Sequence, residues 1–259
     1  MGMTNIMWQD TLLKIMGEYD YVAAPRGMEV KELINGSYKV PMLNPIITLP
    51  SRKMNYNFMF AEAAWIVSGS NRLSDLTPYM KRYADFSDDG VFLRGAYGPK
   101  VIDQMPYVVD TLVKDRDTRQ AVLTIWRERP GPSKDIPCTV AMQFLIRNNT
   151  LHMIVTMRSQ DAVLGFSYDV FTFSMVAKAI QCLLFERGIE VDMGDLHVNA
   201  GSLHVYEQHY DKVLHEWTQD DESDTRVLSY MLHLNQTKNY EDLIGLLWNY
   251  AETYGNDHS

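Results

Sequence analysis

Apolar and polar residues alternate over TVAMQFLI, residues 139–146, and again over LHMIVTM, residues 151–157, with Asn148-Asn149 between them. A period of two on both sides of a tight-turn pair predicts a β-hairpin. Other segments carry helical spacing. Residues 5–17 set Ile6, Leu12, Leu13 and Met16 at intervals that suit a short amphipathic helix. An apolar helix is predicted over Asn57 to Ser68, stopped by Gly69, and a shorter one over Met105 to Lys114. Asp169 to Arg187 reads as a long buried helix, and His204 to Thr218, Ser223 to Leu232 and Tyr240 to Tyr254 read as helical. AVLTIW, residues 121–126, and Glu190 to Val198 read as strands. Val22 to Ile47 is expected to form loops and short strands, punctuated by Pro25-Arg26-Gly27 and Asn35-Gly36. Met80 to Gln104 is expected to be irregular, and Arg127 to Pro137 a loop. Strands that follow one another, with helices laid over them, make an α+β fold.

The 259 residues are 46% hydrophobic, enough for one sizeable core. No linker, repeat or low-complexity tract marks a boundary, so one domain over residues 1–259 is expected. The net charge of -9 disfavours wrapping of nucleic acid, while leaving room for a small anion held by a few placed arginines. No apolar run is expected to span a membrane, since Val176 to Phe185 already contains Lys178. The start, MGMTNIMWQD, lacks the regions of a signal peptide, and Cys138 and Cys182 have unlike neighbourhoods. Both features point to a reducing cytoplasm.

Several residues break the apolar pattern. Glu62 has Phe58, Met59, Trp65 and Ile66 as helical neighbours, which puts a carboxylate on the buried stripe. It is either a structurally paired group or a general acid/base with a raised pKa. Cys138 opens the hairpin beside a Pro-containing loop, where a thiolate could face a cleft; Cys182, in AIQCLLF, reads as inert core. Arg158 ends the second hairpin strand on the face of His152, Ile154 and Thr156, as a solvated strand end or an anion fork. Arg119 and Arg26 are further anion candidates. Asp169 precedes a predicted helix with Thr172 three positions on, the spacing of an N-cap. His204, Tyr206 and His209 cluster, but no HExxH or CxxC pattern accompanies them, and no metal is expected.

Taken in order, six segments resemble the thymidylate synthase family, and most closely its deoxycytidylate hydroxymethylase branch. They are AEAAWIVSG, LRGAYG, DTRQ, PCTVAMQF, RSQDAVLGFSYD and NAGSLHVYEQHY, in register over roughly residues 26–210. The resemblance implies a mixed sheet at a homodimer interface, covered by helices. It implies Cys138 as nucleophile, with Glu62 and Tyr97 managing protons. Arg26, Arg119, Arg158 and Ser159 would hold a 5′-phosphate, with Arg119 reaching across to the partner's site. His204 and Tyr206 would meet the sugar. Asp161, Tyr83 and Phe86 would face the co-substrate, 5,10-methylenetetrahydrofolate. The family's arginine pair is here Arg119-Gln120, which leaves Arg116 as a substitute for the second arginine.

Thymidylate synthases carry asparagine where this chain has Asp169. An amide donates to uracil O4 and accepts from N3–H, whereas cytosine presents an amino donor and an N3 acceptor. Aspartate therefore implies a cytosine substrate, and Thr139 after the cysteine agrees with the hydroxymethylase branch. The resemblance thus implies conversion of dCMP, or alternatively CMP, to its 5-hydroxymethyl derivative by water addition to an exocyclic methylene. The ending, LLWNYAETYGNDHS, does not match the synthase tail that excludes water. The rivals are a dCMP 5-methyltransferase or thymidylate synthase that ends in hydride transfer, a non-catalytic nucleotide-binding protein, and a Cys-His hydrolase using Cys138 with His152 or His204. The expected setting is the cytoplasm of a bacterium or a virus-infected host cell.

Overall fold

A computed structural model describes residues 2–127 and 130–255. In chain order the elements are α1 (Met3–Glu18), β1 (Tyr21–Ala23), β2 (Val30–Pro41), α2 (Tyr56–Val67), α3 (Gly98–Lys114), β3 (Val122–Thr124), β4 (Thr139–Arg147), β5 (Thr150–Asp161), α4 (Leu164–Glu186), β6 (Asp192–Tyr206), the short turn α5 (Tyr210–Lys212), α6 (Arg226–Gln236) and α7 (Tyr240–Thr253). The strands form one mixed sheet in the order β1-β2-β6-β5-β4-β3. All neighbours are antiparallel except β5 and β6, which run parallel because α4 returns the chain between them. The fold is α+β, as the pattern predicts.

The hairpin forms where alternation places it. Asn148 and Asn149 adopt φ of 48° and 60°, the left-handed pair that a two-residue turn requires. Leu151, Met153, Val155 and Met157 then point to one face of β5 and are buried. Met142, Phe144 and Ile146 of β4 and Leu196, Val198 and Ala200 of β6 join them under the helices. The opposite face, with Gln143, Ile154, Thr156, His197 and Asn199, is only partly covered.

Helix ends follow local chemistry. Asn55 accepts from Phe58 N at 3.0 Å to cap α2, and Asn239 accepts from Asp242 N at 3.0 Å to cap α7. α4 is the central core helix. Its Phe166, Phe171 and Phe173 are fully buried, each contributing on the order of 2–3 kcal/mol of apolar transfer. Its 23 residues are long and apolar enough to cross a bilayer, contrary to the reading from Lys178, but 72% of the most apolar window is buried inside the protein. Lys178 is accommodated by Gln181 Oε1 at 2.7 Å and Asn235 O at 2.9 Å.

Four expectations need correction. Asn35-Gly36 is not a loop but an irregularity inside the twelve-residue strand β2; Asn35 has φ of 56°. A Cβ on Gly36 would sit 2.7 Å from Leu203 Cβ, so glycine permits the close approach of β6. β6 continues to Tyr206, which puts His204 and Tyr206 on a strand, not a helix. α4 begins at Leu164, so Asp169 lies in its second turn and is no N-cap. α3 begins at Gly98, with Pro99 in its first turn, well inside the stretch expected to be irregular.

Candidate active site

A cavity of about 1160 Å³ opens where the ends of β2, β5 and β6 meet α2, α4 and the loop before β4. This lies just above the roughly 300–1,000 Å³ usual for a single-ligand pocket. Three walls carry chemistry.

Cys138 stands immediately before β4, half-buried and open to the cavity. Arg158, across from it on β5, holds the approach to the thiol. Its backbone N donates to Cys138 O at 2.8 Å, its Nε to Pro137 O at 3.0 Å, and a terminal nitrogen to Ile136 O at 3.1 Å. The guanidinium also lies 5.9 Å from the Trp126 ring centroid. Burial pushes the Cys138 thiol up, Asp169 adds to this, and Arg158 and Arg26 oppose it. The two arginines lower it, but burial outweighs them.

Glu62 forms the second wall. It lines the cavity, and burial raises its pKa to about 7 against the pull of a hydrogen bond from Tyr83. The Tyr83 hydroxyl donates to Glu62 Oε1. Tyr97, expected to assist Glu62, instead bonds Thr139: the Thr139 N–H donates to its hydroxyl at 3.3 Å and Thr139 Oγ1 lies 3.1 Å away. Burial, then Asp169 and Cys138, push the Tyr97 phenol up, so it stays protonated. Asp169 projects into the same space from α4, one turn before Thr172. Burial first, and Glu62 second, push its carboxyl well up; Gln160, donating to Oδ2 at 3.1 Å, opposes this. The proton on Asp169 is thus held more tightly than on a free aspartate.

The third wall comes from β6. Ser202, His204 and Tyr206 alternate onto the cavity side. His204 is buried, its Nδ1 lies 3.3 Å from Ser202 Oγ, and its Nε2 has no protein partner. Burial pushes its pKa down and keeps the ring neutral. Glu32, opposite His204 in the β2–β6 register, accepts from Ser202 Oγ at 2.5 Å. Arg26 lines the mouth with a left-handed backbone, φ 54° and ψ 28°, and Ser159 lies beside Arg158.

A thymidylate synthase family model matches residues 8–244. The deoxyuridylate hydroxymethyltransferase of Bacillus phage SP01 is 33% identical over 227 residues, 79% of this chain and 57% of that protein. The protein of the same name from Delftia phage PhiW-14 is 30% identical over 187 residues, 66% of this chain and 51% of its own length. The thymidylate synthase of Francisella philomiragia is 24% identical over 204 residues, covering 65% of this chain and 67% of the synthase. The chain belongs to the thymidylate synthase family. It spans about half the length of the phage relatives it matches.

Within this family member, most residues singled out from the sequence meet in one cavity: Cys138, Glu62, Tyr97, Asp169, Arg26, Arg158, Ser159, His204, Tyr206, Tyr83 and Phe86 all line it. Three do not. Arg119 is exposed outside it, with its carbonyl accepting from Gln143 Nε2 at 2.8 Å. Arg116 is tied to Asn149 Oδ1 at 2.6 Å, on the hairpin turn, and does not supply the missing second arginine in this chain's own cavity. Asp161 turns its Oδ1 to Val163 N at 2.7 Å and Leu164 N at 3.2 Å, capping the approach to α4. Tyr83 and Phe86 pack edge-on at 6.1 Å, and the Tyr83 hydroxyl is committed to Glu62.

Sequence reasoning missed Glu32, Trp126, Ser202, Thr172, Gln160 and Tyr38. Alternation in VKELI would have placed Glu32 opposite His204 had β2 been read as one long strand. Gln160 offered no signal, because a glutamine inside a strand is ordinary until its partners are known. His152 lies away from the cavity on the open sheet face, its Nδ1 accepting from Asp195 N at 3.2 Å. It forms a group with Asp195 and His197 whose ligand atoms lie within 4.8 Å of one another, and the Lys39 ammonium, 3.3 Å from Asp195, already occupies the charge there. The Cys-His pairing with His152 is thus excluded by position. Residues 256–259, the end of the tail read as unlike that of synthases, lie outside the described residues.

Proposed function

We propose that this chain is a one-domain cytidylate 5-hydroxymethyltransferase. It converts dCMP, with CMP as the alternative, plus 5,10-methylenetetrahydrofolate and water into the 5-hydroxymethyl nucleotide and tetrahydrofolate. The observation that supports the cytosine assignment is Asp169: a carboxyl whose pKa burial pushes well up, in the same cavity as the Cys138 thiol, where an amide would suit uracil. A neutral carboxyl gives one donor to N3 and one acceptor to the 4-amino group.

In this reading the Cys138 thiolate adds to C6 and turns C5 into a nucleophile. The folate supplies the one-carbon unit to C5; loss of the C5 proton expels tetrahydrofolate, water adds to the resulting exocyclic methylene, and the C6–S bond then breaks to return the Cys138 thiolate. Glu62, with a pKa near 7, and the Tyr83 hydroxyl on it exchange the protons at C5 and at the pyrimidine ring. Arg158 and Arg26 neutralise the phosphate, and the buried, unpartnered Nε2 of His204 with the Tyr206 hydroxyl marks the side that receives the sugar. The Trp65 and Ile66 side chains and the Tyr83 and Phe86 rings give the remaining cavity an apolar wall for a pteridine. Arg119, outside its own cavity, suits a role in the partner's phosphate site of a homodimer formed through the open sheet face. The phage origin of the relatives supports a role in the cytoplasm of an infected bacterium.

A second reading is dUMP as substrate, favoured by the phage relatives named for deoxyuridylate. The test is mass spectrometry of products from a mixture of dCMP, CMP and dUMP with methylenetetrahydrofolate. A hydroxymethyl adduct on one cytidylate is expected. Product from dUMP alone overturns the cytosine assignment, a methyl adduct overturns the water step, and no product overturns the enzyme in favour of a binding protein. Cys138→Ser should abolish turnover while nucleotide binding, measured by calorimetry, persists.

A further inference from the structure

Behind Asp169 runs a buried chain of hydrogen bonds. The Tyr38 hydroxyl, on β2, donates to Gln160 Oε1 at 2.7 Å. This turns the Gln160 amide so that Nε2 donates to Asp169 Oδ2 at 3.1 Å. Gln160 is 2% exposed and Tyr38 7% exposed. Burial keeps the Tyr38 phenol protonated and hence a donor. Gly165 leaves room for the pair: a Cβ there would lie 3.3 Å from Asp169 Oδ2 and 3.6 Å from Gln160 Cγ.

A neutral carboxylic acid has one donor oxygen and one acceptor oxygen. Cytosine needs the donor opposite N3 and the acceptor opposite position 4. Uracil needs the reverse. Moving the proton from one oxygen to the other therefore converts a cytosine reader into a uracil reader without moving a heavy atom. An acid free to place its proton on either oxygen would accept both bases. The oxygen that receives an amide N–H is the better one to leave as carbonyl, which sends the proton to the other oxygen.

We infer that Gln160, itself oriented by Tyr38, fixes the acid proton of Asp169 on Oδ1 and thereby makes the pocket selective for a single pyrimidine. Gln160 and Tyr38 are positioning residues for base selection. The inference rests on Asp169 facing the base edge, as proposed above, but not on which base is preferred.

The test is the ratio of kcat/KM for dCMP and dUMP in the wild type, Gln160→Leu and Tyr38→Phe. The same ratio in Kd, from calorimetry, serves for variants that bind but do not turn over. Either substitution frees the proton to move, so the ratio should fall toward one by at least about tenfold, whichever base the wild type prefers. Repeated in an Asp169→Ala background, which has neither carboxyl nor amide for Gln160 to orient, both substitutions should leave the ratio in Kd unchanged, because they act through the Asp169 side chain. A ratio within about twofold of wild type in both single variants overturns the inference, as does an equal change in the Asp169→Ala background. Tyr38→Phe, which removes only one oxygen, decides alone if Gln160→Leu does not fold. A wild type that prefers dUMP overturns the cytosine assignment and leaves the lock to be judged by the ratio.

Discussion

Replacing Glu62 by glutamine keeps the shape of the side chain and removes the only state that burial penalises, the carboxylate. In the folded chain the Glu62 pKa is raised from 4.5 to about 7. Unfolding returns it to 4.5, so the folded state binds the proton more tightly. The stabilising contribution of the neutral acid is fully present below about pH 4.5 and is lost as pH rises through about 7. At about 1.4 kcal/mol per pH unit between those two values, the loss amounts to roughly 3 kcal/mol. Glutamine does not titrate. Wild type and Glu62→Gln should therefore differ little relative to their acid baseline at pH 5, and the variant should gain about 2–3 kcal/mol on the wild type by pH 8.5. Asp169, which also feels Glu62, titrates lower in the variant and shifts the comparison in the same direction. Urea unfolding followed by circular dichroism at half-unit pH steps measures the difference. A stability difference that stays flat from pH 5 to 8.5 would refute the buried-acid account of Glu62. The same variant should lose turnover at every pH, since it has no proton to exchange.

Other substitutions probe separate parts of the site. Arg158→Gln removes the main group that lowers the Cys138 thiol, so the pH profile of iodoacetamide labelling should move to higher pH; an unmoved profile refutes the coupling. Gly201→Ala places a Cβ 2.9 Å from the Arg158 carbonyl oxygen, a backbone atom that cannot step aside. It should cost roughly 1–3 kcal/mol in unfolding experiments, and a loss under about 0.5 kcal/mol would show that the strands adjust. Arg119→Ala and Cys138→Ser should each be inactive, yet mixing them as refolded subunits should restore roughly a quarter of wild-type activity if Arg119 serves the partner's site. No recovery in a mixture shown to contain heterodimers rules out that crossing.

The local elements of this protein were legible wherever they repeat a simple period. The 139–157 hairpin declared itself through alternation on both sides of Asn148-Asn149, and the α2 stripe placed Glu62 among apolar neighbours. Segments that resemble the family then brought in Tyr97 and gave roles to Cys138, Arg158 and His204, which the broken pattern had already singled out, and the structure gathers all four into one cavity. Where the period was broken the reading failed. Asn35-Gly36 looks like a turn because the local residues favour one, but the neighbouring strand β6 supplies the hydrogen bonds that carry β2 straight through. His204 and Tyr206 looked helical for the same reason: the pairing that makes them strand residues comes from β2 and β5, more than forty positions away in sequence.

What the sequence by itself determined is the inventory of chemistry: a thiol, two carboxylates, arginines and a histidine on segments of known local form. Only the tertiary structure decided their states. Burial pushes both the Glu62 and Asp169 carboxyls up, and burial is a property of everything packed around them. It also decided which hydroxyl meets Glu62, Tyr83 and not Tyr97, and that Gln160 stands between Tyr38 and Asp169. These contacts join positions 9 to 122 residues apart. A residue's pattern along the chain reports the face it occupies, whereas its charge and its hydrogen-bond partners depend on which other faces the fold brings against it.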